Sequence, residues 1–252
     1  MKAVPRRAAL ASLAGIAFAS MSSRLAAADL EPISAKTLSG RTVSAFLAVP
    51  SKTPAPAIML IHGAHGLTGY YKSTAIEFAK EGFVALAIDL YDGQLDASRD
   101  VYFLMATANE NPQRTAETIT TWIDWLKHDQ RTNSAIALVG YSFGAEWALR
   151  ISLSVPVEAT VIYVGLILPT VEELARLRGP TLGLFADWGN DPPLASVDIL
   201  ERRMKQAGKS FEVHTYAAGH GFGNREFADY NKPAAEAAWA ATLKFLRANL
   251  KS

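Results

Sequence analysis

The amino-acid sequence predicts an α/β fold, a mostly parallel central sheet with helices on both faces. Three observations carry this. Short apolar runs alternate with amphipathic segments, the runs are continuous rather than alternating with polar residues, and half the chain is apolar against 19% charged, which favours burial over disorder. In chain order, residues 41–49 form a candidate antiparallel strand stopped by Pro50, and a proline-punctuated turn follows at 51–56. Buried strands are expected at 57–61, 83–90, 135–139, 159–164 and 181–185, with a last one at 211–216. Helical patterns fall between and after them at 72–81, 112–127, 144–153, 171–177, 196–207 and 233–250. Residues 91–111 have mixed character and suit a loop with a short helix over one end of the sheet, too short for a separate cap domain.

The first 28 residues stand apart. Lys2, Arg6 and Arg7 precede a short apolar run from Ala8 to Ala19, and Ala26-Ala27-Ala28 gives a small-residue cleavage pattern before Asp29. The run falls short of the ~20 apolar residues that span a bilayer, so residues 1–28 read as an export signal, with an uncleaved anchor as the alternative. Arg6-Arg7 raises the twin-arginine route, but Pro5 and Ala8-Ala9 match that pattern poorly, which favours the general secretory route to the periplasm or beyond. Residues 29–252 then form a single domain, without repeats, low-complexity tracts or Gly/Ser linkers. Removing the leader takes away Lys2, Arg6, Arg7 and Arg24 and moves the formal charge from +1 to −3. A mildly acidic surface without a basic cluster gives no footprint for nucleic acid, and no stable membrane insertion is expected after signal removal. The absence of cysteine excludes disulfides, thiolate metal sites and a thiol nucleophile.

The sharpest motif is Gly140-Tyr141-Ser142-Phe143-Gly144, between an apolar strand and a helical pattern. G-x-S-x-G alone is weak, but strand–turn–helix is the setting in which a serine hydroxyl is held out at the carboxyl end of a sheet. A hydroxyl needs a base, and His220, in a small-residue loop after the last strand, is the candidate. His214 lies within a strand, His128 ends a helix, and His62 and His65 precede Ser142. The orienting carboxylate should follow the strand at 181–185. Asp191, in a Pro-rich turn before a helix, is favoured over Asp187. Backbone N–H groups of Phe143 and of Ala64, in His62-Gly63-Ala64-His65-Gly66, are candidate oxyanion donors. No local third ligand makes His62 and His65 a metal site, so a structural or substrate-lining role fits them better.

Taken together, IMLIHGAHGL, GFVALAIDLYDG, GYSFG, LFADWGNDPP and YAAGHGF, in that order, resemble the dienelactone hydrolase family of the α/β-hydrolase superfamily, over most of the chain from Leu38 to Leu250. The resemblance implies an α/β-hydrolase fold and hydrolysis of an ester or lactone by a Ser142, Asp191, His220 triad, with no cofactor and a small-molecule substrate. Family members typically carry cysteine where this chain has Ser142, and the type enzymes a glutamate where it has Gly63. The arginines that hold a dienelactone carboxylate are replaced by Gly93 and Asn224, with Arg225 one position off. His65, Tyr91, Trp188 and Arg225 are the candidate substrate contacts, and Tyr70, Tyr71 and Phe222 further candidates for an aromatic pocket. A prolyl-peptidase-like serine peptidase and a noncatalytic binding protein of the same fold are the alternatives. Oligomeric state is not legible.

Overall fold

A computed structural model describes residues 30–94, 100–188 and 192–250. Eight strands form one sheet: β1 (Leu30–Lys36), β2 (Thr42–Ala48), β3 (Ala55–Ile61), β4 (Val84–Ile88), β5 (Thr132–Tyr141), β6 (Ala159–Tyr163), β7 (Thr181–Ala186) and β8 (Phe211–Tyr216). Their order across the sheet is β1-β2-β4-β3-β5-β6-β7-β8. β2 pairs antiparallel with both β1 and β4, and every pairing from β4 to β8 is parallel. Among the described residues the helices are α1 (Gly69–Lys80), α2 (Val101–Glu110), α3 (Pro112–His128), α4 (Phe143–Ser152), the single-turn α5 (Val171–Leu174), α6 (Leu194–Gln206) and α7 (Lys232–Asn249).

β3 and β4, at the centre of the sheet, are apolar and buried at every position because helices cover both faces. Along β3, Ile58 and Leu60 join the core layer under α1 and α7, while Ala57, Met59 and Ile61 join the layer under α2, α3 and α4. Burial of each such Ile or Leu contributes about 1.5–3 kcal/mol. α1 starts where the Thr68 side chain accepts from Tyr70 N–H, and buries Tyr70, Tyr71, Thr74, Ala75, Phe78 and Ala79 on one stripe. It ends at Gly82, whose φ of +95° suits glycine. α3 opens on Pro112 and buries Ile119, Trp122, Ile123 and Leu126 at helical spacing.

Two expectations shift. β1 was not expected, because LEPISAK is an edge strand with mostly exposed side chains and an internal proline, and so shows no apolar run. The short helix expected within residues 91–111 is the ten-residue α2, capped by Asp100, which buries only Leu104 and Ala108. The helix expected at 171–177 is only the turn α5, closed by a Thr170–Glu173 capping box. Residues 1–28, expected to be a signal, lie outside the described residues.

The winding of the sheet reverses at β3: β4 lies on one side of it and β5 on the other. The loops leaving β3 and β5 therefore flank a crevice at the carboxyl ends of adjacent parallel strands, the usual ligand position in such sheets.

Candidate active site

β5 runs directly into α4 through Ser142, whose φ of 51° and ψ of −116° lie outside the regions comfortable for a residue with a Cβ. Close backbone approach enforces this turn. A Cβ on Gly140 would collide with the Gly144 carbonyl, one on Gly144 with the carbonyls of Ile61 and His62, and one on Gly165 with the Ser142 carbonyl. Ser142 N–H donates to the Tyr163 carbonyl at 2.7 Å, tying the elbow to the end of β6. Ser142 caps α4, so the first helical N–H, that of Phe143, has no partner within the helix and the helix dipole favours negative charge there.

The loop after β8 brings His220 across the sheet. Its Nε2 lies 2.9 Å from Ser142 Oγ, a contact between residues 78 apart in sequence. The loop is shaped by Phe222 N–H donating to the Gly219 carbonyl at 3.1 Å and by Gly221 N–H donating to Asp229 Oδ2 at 2.8 Å. Asp229 fills the space that side chains on Gly219 and Gly221 would need.

The loop after β3 is pinned from behind. His62 is fully buried; its Nε2 accepts from Leu90 N–H at 3.1 Å, which leaves the proton on Nδ1, 2.8 Å from the Gly63 carbonyl. Gly66 N–H donates to the same carbonyl at 3.0 Å. Tyr91 Oη donates to the Ala64 carbonyl at 2.9 Å, and Gly63 N–H donates to Tyr71 Oη at 2.8 Å. The two ends of a trans peptide unit point in opposite directions. With the Gly63 carbonyl held by His62, the Ala64 N–H of that unit is turned the other way, and Ala64 borders the cavity.

Burial keeps His62 neutral by lowering its pKa, against the opposing effect of its bond to Gly63 and of nearby Asp89. The unfolded chain takes up a proton at this histidine below its ordinary pKa of 6.5, whereas the folded chain refuses it until lower pH. Stability therefore falls as pH drops through 6.5, by up to about 1.4 kcal/mol per pH unit from this group, until the folded pKa is passed. Urea midpoints at pH 7.5 and 5.5 should show the loss, and His62→Gln should flatten the slope.

These parts meet in a cavity of about 740 Å³ lined by Ser142, Phe143, Ala64 and His220, with Tyr71, Tyr141, Tyr163 and Phe222 as its aromatic wall. Glu146 and Asp229 are the carboxylates among the described lining residues.

A family model for the dienelactone hydrolase family matches residues 43–250. The chain belongs to the dienelactone hydrolase family. This family member is a hydrolase. It is 25% identical over 227 residues to the carboxymethylenebutenolidase of Pseudomonas putida, covering 86% of this chain and 95% of that one. It is 29% identical over 229 residues to a Bradyrhizobium protein named "Probable 2-oxo-3-(5-oxofuran-2-ylidene)propanoate lactonase", covering 84% and 91%. The crystal structure of dienelactone hydrolase from Anabaena variabilis superposes with a TM-score of 0.69 at 19% identity, covering 90% of this chain and all of that one. That likeness establishes the α/β-hydrolase fold.

Of the substrate contacts expected from the sequence of this hydrolase, only His65 borders the cavity, exposed and edge-on to Phe227 at 5.0 Å. Tyr91 is buried behind the loop, packed on His62 and bonded to Ala64, because its hydroxyl is needed there. Trp188 is 58% exposed and does not line the cavity. Arg225 pairs with Glu77 at 3.0 Å over a second, smaller cavity lined also by Tyr70 and Trp239, so it does not take the place of the missing arginines. Asp187 is exposed at the end of β7, and its N–H donates to the Tyr216 carbonyl. Asp191 lies outside the described residues; Pro192 and Pro193, which follow it, line the cavity. Gly165, Tyr163 and Asp229 escaped sequence reasoning, since none belongs to a motif and each matters through one tertiary contact.

Proposed function

We propose that this family member is a serine hydrolase that cleaves a carboxylic ester or lactone by acyl transfer. One observation carries the reading: a serine hydroxyl in a strained elbow, 2.9 Å from an imidazole nitrogen, lining a cavity with an aromatic wall. Ser142 Oγ attacks the carbonyl carbon while His220 Nε2 takes its proton; the C–O double bond becomes a C–O⁻ facing the N–H groups of Phe143 and Ala64. His220 then protonates the departing alcohol oxygen, and water repeats the sequence on the acyl-enzyme. Asp191 orients the imidazole. The aromatic wall and the Asp229 carboxylate favour an uncharged ester over one bearing a carboxylate, because a second negative charge would be desolvated beside the first.

A fluorophosphonate probe followed by peptide mass spectrometry should place the adduct on Ser142; an unlabelled protein would point to a noncatalytic binder. Aryl esters, lactones and short peptides assayed side by side separate esterase from peptidase, and neutral esters should exceed their carboxylate-bearing counterparts in kcat/KM. Asp191→Asn should lower kcat by about 10⁴-fold, as removal of the orienting charge does in such triads, while Asp187→Asn should leave it within a factor of a few. The reverse result would move the acid to Asp187. The leader reading adds export with Asp29 as the mature N-terminus, which N-terminal sequencing of protein from the periplasmic fraction tests.

A further inference from the structure

Tyr71 has a place that the reaction just described leaves unused. Its ring is 4% exposed and is held edge-on between Tyr70 and Tyr141, at centroid distances of 5.1 and 5.4 Å. Its oxygen accepts Gly63 N–H at 2.8 Å, and Tyr71 lines the same cavity as Ser142. A Cβ built on Gly63 would stand 3.0 Å from that oxygen and 3.8 Å from Ser142 Cβ, so hydroxyl and nucleophile flank one side-chain position. A phenol that accepts one bond still has a proton to give. Among the described residues no acceptor takes it, and burial pushes the phenol pKa up, so the proton stays on.

We propose that the Tyr71 hydroxyl is a third hydrogen-bond donor, beside the two backbone N–H groups, to the tetrahedral intermediate formed at Ser142. The proposal rests on the reading that Ser142 is the nucleophile. No proton changes hands at Tyr71: the O–H bond persists while the Oγ–C bond forms, His220 takes the serine proton, and the former carbonyl oxygen gains the charge that the phenol helps to hold. The phenol is thereby a catalytic residue rather than a wall of the pocket.

Tyr71→Phe should lower kcat on a neutral aryl ester about 30-fold with KM within threefold, somewhat less than the ~10²–10³-fold known for deleting an oxyanion donor. That variant also leaves Gly63 N–H unpaired, so a second is needed. Trifluorotyrosine incorporated at position 71 keeps ring and oxygen but makes the phenol far more acidic. Once ionised, as followed by its ultraviolet absorbance, it still accepts Gly63 N–H but can no longer donate. A donor role predicts a new alkaline loss of kcat that tracks this ionisation and is absent from the unmodified enzyme; a purely structural role predicts none. Unchanged kcat in Tyr71→Phe, or full activity of the ionised trifluorotyrosine enzyme, would overturn the proposal. Fluorophosphonate labelling of each variant keeps the two readings apart. Labelling at Ser142 with no Tyr71 effect sinks only the third donor, whereas wild-type protein that fails to label sinks the nucleophile itself.

Discussion

Ser142→Ala should abolish ester hydrolysis, with kcat down by at least about 10⁴-fold, and leave the denaturation midpoint near its original value. Among the described residues the hydroxyl's side-chain partner is His220, so its loss removes a hydrogen bond worth about 1 kcal/mol. Ser142→Gly sharpens the comparison. At φ 51°, ψ −116° the serine backbone is strained, at a cost of order 1–3 kcal/mol that glycine does not incur. The glycine variant should therefore be equally inactive yet more stable, with a melting temperature a few degrees higher. Strain held at this residue and released without function is what a site built for reaction predicts. A Ser142→Ala enzyme that still turns over activated esters would end the serine-hydrolase reading, and a Ser142→Gly protein less stable than the parent would contradict the strain.

Gly165→Ala should be nearly as damaging without altering any reacting atom. A methyl at Gly165 would collide with the carbonyl carbon and oxygen of Ser142, backbone against backbone with no flexible side chain to swing aside. Overpacking usually costs about 1–3 kcal/mol, and here the yielding element is the elbow. Displacing Oγ by about 1 Å from its imidazole is enough for a 10²-fold fall in kcat. The expected result is a kcat reduced 100-fold or more, a melting temperature lowered by several degrees and a weaker rate of fluorophosphonate labelling. Wild-type labelling kinetics in Gly165→Ala would show that the elbow does not depend on this contact.

Much of the architecture was legible because it is written in local patterns. β3, β4, β6 and β7 are short runs buried on both faces, and the elbow glycines flank the serine in one pentapeptide, so both could be read without knowing what they touch. Elements with one exposed face were harder. β1 presents its polar side chains to solvent, and α2 buries two residues in ten. The site divides the same way. Ser142 and His220 follow strands whose ends topology brings together, and the structure sets them in contact. Tyr91, Trp188 and Arg225 looked equally suited to a pocket, but which way a side chain points from a loop depends on partners such as Ala64 and Glu77 that are 27 and 148 residues away. Gly165 and Asp229 gave no signal at all, since a glycine after a strand and an aspartate in a loop are ordinary until their contacts are seen.

The crowding around Gly63 also constrains the order in which this sequence can change. Restoring a glutamate there, as the type enzymes of the family have, would press its Cβ to 3.0 Å from the Tyr71 oxygen, so Gly63→Glu requires the phenol to give way. Trimming Tyr71 first would open the space but leave Gly63 N–H unpaired until the second change arrives. Neither single step is neutral. Positions 63 and 71 should therefore couple in a double-mutant cycle on stability. Ser142→Cys alone would leave that coupling in place.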